Sequence, residues 1–327
     1  MIFITGASGL IGSFICRELL RRGHKVRALK RASTDMGLVS DIRDQIEWVE
    51  GDLMNVSDLP GYLEGVTDII HGAAVISYER KDELLMYQVN VDGTANLLNA
   101  ALDKGISRFL HISSVAAIGK DKGANIITED SKWQGEKTTA YARSKYQSEL
   151  EVWRASAEGL KTIIINPSLV LGPGEWHKSS TQVFKYVWDE HRFFTNGLVN
   201  YVDVRDVAEI VVQLLLSDHV GERFIVNAGS MTYKELFEQI ALEFGKRPPH
   251  IHARGGMIRL AILLGKLQAA LTGRPPLLSD EMEQVSKNRH IYANEKIKKT
   301  INFEFRDIKD TIRWSCEQLK NRQAVHA

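Results

Sequence analysis

The chain has 327 residues, 44% hydrophobic and 25% charged, with 42 Lys and Arg against 41 Asp and Glu, a formal net charge of +1. That length allows one large domain or two smaller ones with a sizeable core, and the composition is that of a soluble globular protein. The charge balance excludes a polyanion such as nucleic acid as the expected partner.

Two cysteines, Cys16 and Cys316, both in helix-like patterns, exclude a disulfide framework and fit free buried thiols in a reducing cytoplasm. The strand pattern "MIFIT" starts at Met1, so no signal peptide is expected. The longest apolar run, residues 257–271, contains Arg259 and Lys266 and is too short to span a bilayer. It reads as a packed or lid helix, with peripheral membrane contact as the lesser alternative.

Taken in chain order, short apolar runs alternate with helical patterns. "MIFIT" precedes a helix over 10–22, then "KVRAL"; "IEWVEGD" leads to a helix near Ser57, and "TDIIHGAA" to one ending near Lys104. "RFLHISS", a helix carrying Tyr141, and "KTIIINPS" complete the series. Buried strands alternating with helices predict an α/β fold with a doubly wound parallel sheet.

After Gly172 the rhythm breaks into a polar stretch with two tryptophans, resumes at "NYVDVRDVAEIVVQLLL" and "RFIVNAG", and then turns mainly helical. The expected division is a nucleotide-binding domain of residues 1–171 plus about 198–227. The rest, about 172–197 plus 228–327, would form a smaller, mainly helical substrate-binding domain.

"MIFITGASGLIG" sets Gly6, Gly9 and Gly12 at a strand-to-helix turn, with Ala7, Leu10 and Ile11 completing the loop. Gly6 permits the tight turn, Gly9 lets a pyrophosphate approach the backbone, and Gly12 allows close helix packing beneath a favourable helix dipole. A plain glycine-capped turn is the alternative. The spacing G-x-x-G-x-x-G resembles the extended branch of the short-chain dehydrogenase/reductase family, the NAD-dependent epimerase/dehydratase superfamily. That resemblance implies a Rossmann sheet.

NAD-specific proteins place an acid at the end of the second strand, whereas "VRALKRAST" has Lys30 and Arg31 there. A guanidinium can pair with a 2′-phosphate, so NADP is expected over NAD, with NAD still open and solvated charges as the alternative. "EGDLMN" offers Asp52 to the adenine amino group and Leu53 to its ring. "HGAA" offers Ala73 and Ala74 where the cofactor passes the backbone.

In "TTAYARSKYQSELEVW", Tyr141 and Lys145 share one helical face. The spacing alone is common by chance. "RFLHISSVAAIG" ends a strand at Ser113 and Ser114, and ligands of open parallel sheets bind beyond strand carboxyl ends. With "NPSLVLGPG" following in family order, the resemblance covers about the first 230 residues. It implies Ser114, Tyr141 and Lys145 as the catalytic set. Tyr141 is the acid or base, Lys145 lowers a phenol pKa otherwise about 10 and bonds the nicotinamide ribose, and Ser114 holds the substrate oxygen. Pro167 and Ser168 then lie where the family seats the nicotinamide.

Asn90 matches a family asparagine near the active site, and a cap or helix-kink role is at least as well founded. His71 and His111 read as satisfied strand-end residues, and no residue set has metal-ligand spacing, so no metal is expected.

The family's dehydratases carry Asp-Glu after the catalytic hydroxyl residue, where Val115 and Ala116 stand here. Its nucleotide-sugar epimerases use an arginine where this chain has Val199, and an apolar group cannot replace a guanidinium at phosphate. "GPGEWHKSST" and "NYVDVRDVAE" resemble the dihydroflavonol reductase-like group. The expectation is thus an NADP-dependent ketone or aldehyde reductase, with Trp176 and Phe184 lining an apolar pocket or simply forming core, and Tyr78 a further substrate contact.

The alternative is a nucleoside-diphosphate-sugar epimerase using another base, such as Arg205 or Lys178. A non-catalytic sensor or scaffold is a third reading, although such relatives typically lose the tyrosine or lysine. The expected partner is a small molecule, with no integral membrane span. A homodimer through helices at 94–104 and 142–157 is an option the family offers.

Overall fold

Alternating apolar runs this short cannot each bury two faces unless helices cover both sides of the sheet, and the computed structural model shows that arrangement. It describes residues 1–77, 79–120, 123–135, 138–253 and 289–326. Tyr78 and the apolar run 257–271 lie outside the described residues.

In chain order the strands are β1 (Ile2–Thr5), β2 (Val26–Lys30), β3 (Glu47–Glu50), β4 (Asp68–His71), β5 (Arg108–Ile112), β6 (Ile126–Ile127) and β7 (Lys161–Pro167). Then come β8 (Leu169–Leu171), β9 (Phe193–Phe194), β10 (Leu198–Asp203), β11 (Glu222–Val226), β12 (Gly229–Thr232), β13 (Ile251–His252) and β14 (Ile291–Tyr292). The main sheet has seven parallel strands in the order β11-β7-β5-β4-β1-β2-β3, a Rossmann sheet whose strand order reverses between β1 and β4.

Helices α1 (Leu10–Arg21) and α7 (Val204–Leu215) bury Ile15, Leu19, Val207 and Val211 against one face. On the other face lie α2 (Leu59–Tyr62), α4 (Gly93–Asp103) and α5 (Ala140–Ala157), through Leu59, Leu97 and Val152. The short α3 (Glu83–Tyr87) runs into α4 through a π-helical turn, Gln88–Asp92. No helix among the described residues is long and apolar enough to cross a membrane.

A third apolar cluster joins α6 (Gln182–Trp188), α8 (Tyr233–Phe244) and the C-terminal helix Ile308–His326, beside a small sheet of β8, β10 and β12. Helix α8 starts at a reciprocal cap, with the Thr232 hydroxyl accepting from Glu235 N while the Glu235 carboxylate accepts from Thr232 N. Cys16 and Cys316 are free and buried, and burial pushes the Cys16 thiol up to about 12.

Phe184 is fully enclosed in this third cluster, edge-on to Phe244. It is therefore core and not an open pocket wall, because an aromatic side chain with no accessible surface has no face left for a ligand. Trp176 packs on the same cluster against Trp188 and Phe244. Phe184→Ala should accordingly lower the unfolding free energy by about 3–5 kcal/mol. Urea denaturation would register this as a lower midpoint, and a loss under about 1 kcal/mol would return Phe184 to a pocket.

Candidate active site

The loop between β1 and α1 lies at the carboxyl edge of the sheet, beside the strand-order reversal. Gly6 has φ +75°, and a Cβ there would lie 2.7 Å from the Gly72 carbonyl carbon and 2.8 Å from Ala73 N. A Cβ at Gly12 would stand 2.1 Å from Gly6 O. Both positions therefore require glycine. Gly9 is the N-cap of α1 and provides no side-chain cap, so the first-turn N–H groups around Leu10 and Ile11 face outward at the positive end of the helix dipole. Ala7 is buried beneath the loop. These features fit a pyrophosphate.

Asp52 uses Oδ1 to accept from Met54 N, and Leu53 is buried against Gly93. Ala73 is half-buried and Ala74 exposed just beyond β4. Lys30 is committed to Glu50 across the β2–β3 pair at 2.7 Å. This is a partly exposed ion pair, in which β3 supplies the carboxylate. Arg31 is exposed, and its backbone N–H is tied to the Thr34 hydroxyl.

A buried chain of hydrogen bonds supports the cradle. Gly72 N and Ala73 N donate to Thr5 Oγ1, which contacts His71 Nδ1 at 2.7 Å. His71 Nε2 contacts Thr94 Oγ1 at 2.8 Å, and Thr94 donates to Asn90 O. Because the Thr94 proton is used there, His71 must donate from Nε2 and accept from Thr5 at Nδ1, which fixes a neutral tautomer. His111 stacks on His71 with ring centroids 5.3 Å apart. Burial and the nearby Lys145 charge depress both rings, His71 to about 3 and His111 well below its ordinary value.

Asn90, in the π-helical turn, bonds Val75 N, Val75 O and Ser144 Oγ. Its amide is occupied on both sides and it is fully buried, so it is a strut between the β4 loop and α5, not a substrate contact.

Helix α5 begins at Thr139, whose hydroxyl accepts from Ala142 N. It carries Tyr141, half-buried, and Lys145, buried, one turn apart. Lys145 Nζ donates to Ile112 O at 2.9 Å, at the last residue of β5. Ser114, two residues on, caps the turn Val115–Ala117, which packs on α5. The structure thus brings Ser114, Tyr141 and Lys145 to one carboxyl-edge crevice. Burial lowers the Lys145 pKa to about 8, with the Glu149 charge pulling it back up.

Asn166 on β7 donates to Ser114 O at 2.9 Å and to Glu149 Oε1 at 2.6 Å. Pro167 ends β7, and the enclosed Ser168 Oγ has no hydrogen-bond partner among the described residues. An orphaned hydroxyl at this edge fits a nicotinamide carboxamide.

Arg205 is paired within the fold. Its guanidinium makes three contacts with Asp203, the shortest 2.6 Å, and lies 3.8 Å over the Trp314 ring. Lys178 pairs with Glu175. Val199 is buried in the β10–β12 ladder opposite Met231. Sequence reasoning missed Glu149, Asn166 and Ser113. The available signal was a carboxylate four residues after Lys145, on the same helical face.

Fold and crevice define a dinucleotide-binding enzyme of the Rossmann class. The chain belongs to the NAD dependent epimerase/dehydratase family, which matches residues 2–229. It is 37% identical over 209 residues to a Synechocystis sp. protein provisionally named dihydroflavonol 4-reductase, spanning 63% of this chain and 60% of that relative's length. The crystal structure of gox2253 overlays with TM-score 0.84 at 28% identity, covering 98% of both chains. A UDP-glucose 4-epimerase from Thermotoga maritima, solved with UDP-glucose, overlays with TM-score 0.80 at 18% identity over 98% of this chain and 99% of the other. At that identity the likeness is one of fold. The protein is an NAD(P)-binding enzyme of the oxidoreductase and epimerase/dehydratase type.

The buried neutral histidines set an acid limit. An unfolded histidine takes up a proton near pH 6.5, whereas folded His71 resists until about 3. Stability is therefore lost as pH falls below about 6.5, by up to about 1.4 kcal/mol per pH unit for each histidine. Urea midpoints measured from pH 7 to 4 should fall steeply, and His71→Asn should flatten the slope.

Proposed function

We propose that the protein is an NADP-dependent oxidoreductase that transfers a hydride to or from a carbonyl or alcohol substrate, with Tyr141 as the acid/base group. The observation that carries this reading is the buried bond from Lys145 to the end of β5, which holds the Tyr141 helix against the turn capped by Ser114.

The dinucleotide supplies or accepts the hydride at the substrate carbon. In the reducing direction the Tyr141 hydroxyl gives its proton to the carbonyl oxygen, so that carbonyl, hydride and proton together yield the alcohol. Oxidation reverses each transfer. The cationic Lys145 one turn away favours the phenolate left behind, and Ser114 donates to the same substrate oxygen. Gly6, Gly9 and Gly12 with the open end of α1 would hold the pyrophosphate, Asp52 and Leu53 the adenine end, and Pro167 and Ser168 the nicotinamide. Arg31 is the group available for a 2′-phosphate.

For the substrate, an apolar ketone or aldehyde is supported by Val199, by the commitment of Arg205 to Asp203, and by the Synechocystis relative's provisional name. A second reading, a nucleoside-diphosphate-sugar epimerase, draws on the family description and the Thermotoga maritima overlay, which lean that way. Both use the same Tyr141–Lys145 step. Quenching of protein fluorescence by a panel of aromatic ketones and nucleotide sugars separates them, and tight binding of a nucleotide sugar with no response to ketones would favour the epimerase.

Tyr141→Phe should lower turnover of whichever panel member reacts by roughly 10²–10⁴-fold, while the NADPH dissociation constant stays within about threefold. Unchanged turnover would remove Tyr141 from the mechanism. Arg31→Glu should weaken NADPH binding by about 10–100-fold, the value of a charge-assisted hydrogen bond, and leave NADH nearly unaffected. Titration of reduced-nicotinamide fluorescence measures both, and equal loss for the two cofactors would reject the 2′-phosphate role.

A further inference from the structure

Four residues beyond Lys145 on the same buried face of α5 lies a carboxylate that the hydride step does not use. Glu149 is enclosed, and Oε1 accepts from Ser113 Oγ at 2.5 Å and from Asn166 Nδ2 at 2.6 Å. Its other oxygen faces Arg223 at 3.3 Å. Asn166 Nδ2 also donates to Ser114 O, and Ser113 N donates to Ile165 O, so one carboxylate joins α5 to the carboxyl ends of β5 and β7 and to Arg223 near the start of β11. A buried charge persists only when paired and hydrogen-bonded.

We propose that Glu149 is a positioning residue of the reaction centre: the buried counter-ion that keeps Lys145 cationic and, through Asn166, fixes the Ser114 backbone. The catalytic consequence rests on the Tyr141–Lys145 reading; the charge coupling does not.

Glu149, one turn beyond Lys145 on the same buried face, is the carboxylate whose charge acts on it, although its own hydrogen bonds go to Ser113, Asn166 and Arg223. On the lysine's helix stand Tyr141 and Glu149; β4 and β5 contribute His71 and His111, both held neutral; β11 contributes Arg223. Arg223 donates from Nε to Glu129 O at 2.9 Å, and the Glu129 carboxylate accepts from Ile225 N. Without Glu149, two cations would share the region with no buried anion between them. The Glu149 charge raises the Lys145 pKa against the penalty of burial. At helical i,i+4 separation, loss of that attraction should lower the lysine's titration midpoint by about one to two pH units. Lys145 would then be half or more neutral at pH 7, and the Tyr141 phenolate would lose much of its stabilising charge.

The test is a side-chain NMR titration of the full-length protein labelled with ¹³C,¹⁵N-lysine, with Lys145 assigned from Lys145→Arg. Glu149→Gln should bring the Lys145 midpoint down by about one to two units, and Glu149→Asp should restore most of the difference. In the sheet-edge variant Arg223→Gln, which tests the idea should Glu149→Gln not fold, the midpoint should rise as the competing cation is removed. A midpoint within about 0.3 units of wild type in folded Glu149→Gln, or in Arg223→Gln where Glu149→Gln does not fold, overturns the proposal. A shifted midpoint in Glu149→Gln together with full turnover in Tyr141→Phe would uphold the coupling and reject the assigned acid/base role.

Discussion

Helix α5 is held to the sheet by a polar seam, and the placement of the reactive groups depends on that seam. Its buried residues are Ala142, Ser144, Lys145, Ser148, Glu149, Val152 and Ala155, mostly small or polar. An apolar stripe gains similar contact energy in several registers, because the hydrophobic effect is non-directional. A buried lysine and a buried glutamate have no such freedom. Each must meet its partners within hydrogen-bond reach or remain unsatisfied at high cost. Lys145 meets Ile112 O, Glu149 meets Ser113 and Asn166, and Ser148 lies against His111 at 3.2 Å. These bonds admit one register of helix on strand, and that register sets Tyr141 beside the turn that begins at Ser114.

The same logic runs through the nucleotide side of the crevice. Backbone N–H groups beyond β4 donate to Thr5, Thr5 to His71, His71 to Thr94, and Thr94 to the Asn90 carbonyl. Asn90 then bonds Ser144, whose hydroxyl donates to Tyr141 O. The phosphate loop and the tyrosine helix are thereby joined by one line of buried, neutral hydrogen bonds. A charge on His71 would break this line, since Thr5 already receives two backbone donors and gives its only proton to His71. Close backbone packing at Gly6 and Gly12 and this line together make the cradle rigid before any dinucleotide arrives, so little ordering remains to oppose binding.

What could be read from the sequence was what is local. Strand and helix rhythm, the glycine spacing and the Tyr141–Lys145 pair each follow from neighbouring residues, and the seven-stranded sheet follows from the rhythm. What could not be read was the choice of partners. Lys30 looks free in "VRALKRAST" but lies beside Glu50 once β3 pairs with β2. Arg205 looks free beside "YVDV" but is enclosed by Asp203 and by Trp314, which arrives from the C-terminal helix. Asn90 reads equally as a site residue or a structural one, and its amide bonds Val75 and Ser144. Glu149 was passed over as part of a carrier helix because its partners, Ser113, Asn166 and Arg223, come from three strands that only the fold brings together.

Under the proposed reading, the hydride step lies in a part of the molecule separate from the aromatic core. The polar seam belongs to the sheet and α5, whereas the aromatic cluster of Trp176, Phe184, Trp188 and Phe244 is built on α6, α8 and the segment before them. Where β8 and β10 pass between the two, Gly172 and Gly174 fit tightly against Val204 and Thr181, and Arg322 of the C-terminal helix donates to Pro173 O between them. A substitution in the aromatic cluster therefore changes how α6, α8 and the C-terminal helix pack without touching a partner of Lys145 or Glu149. A substitution in the seam does the reverse: it changes the charge state and register of the reactive groups for any substrate. The seam is common to the apolar carbonyl reading and the nucleotide-sugar reading, because both use the Tyr141–Lys145 step.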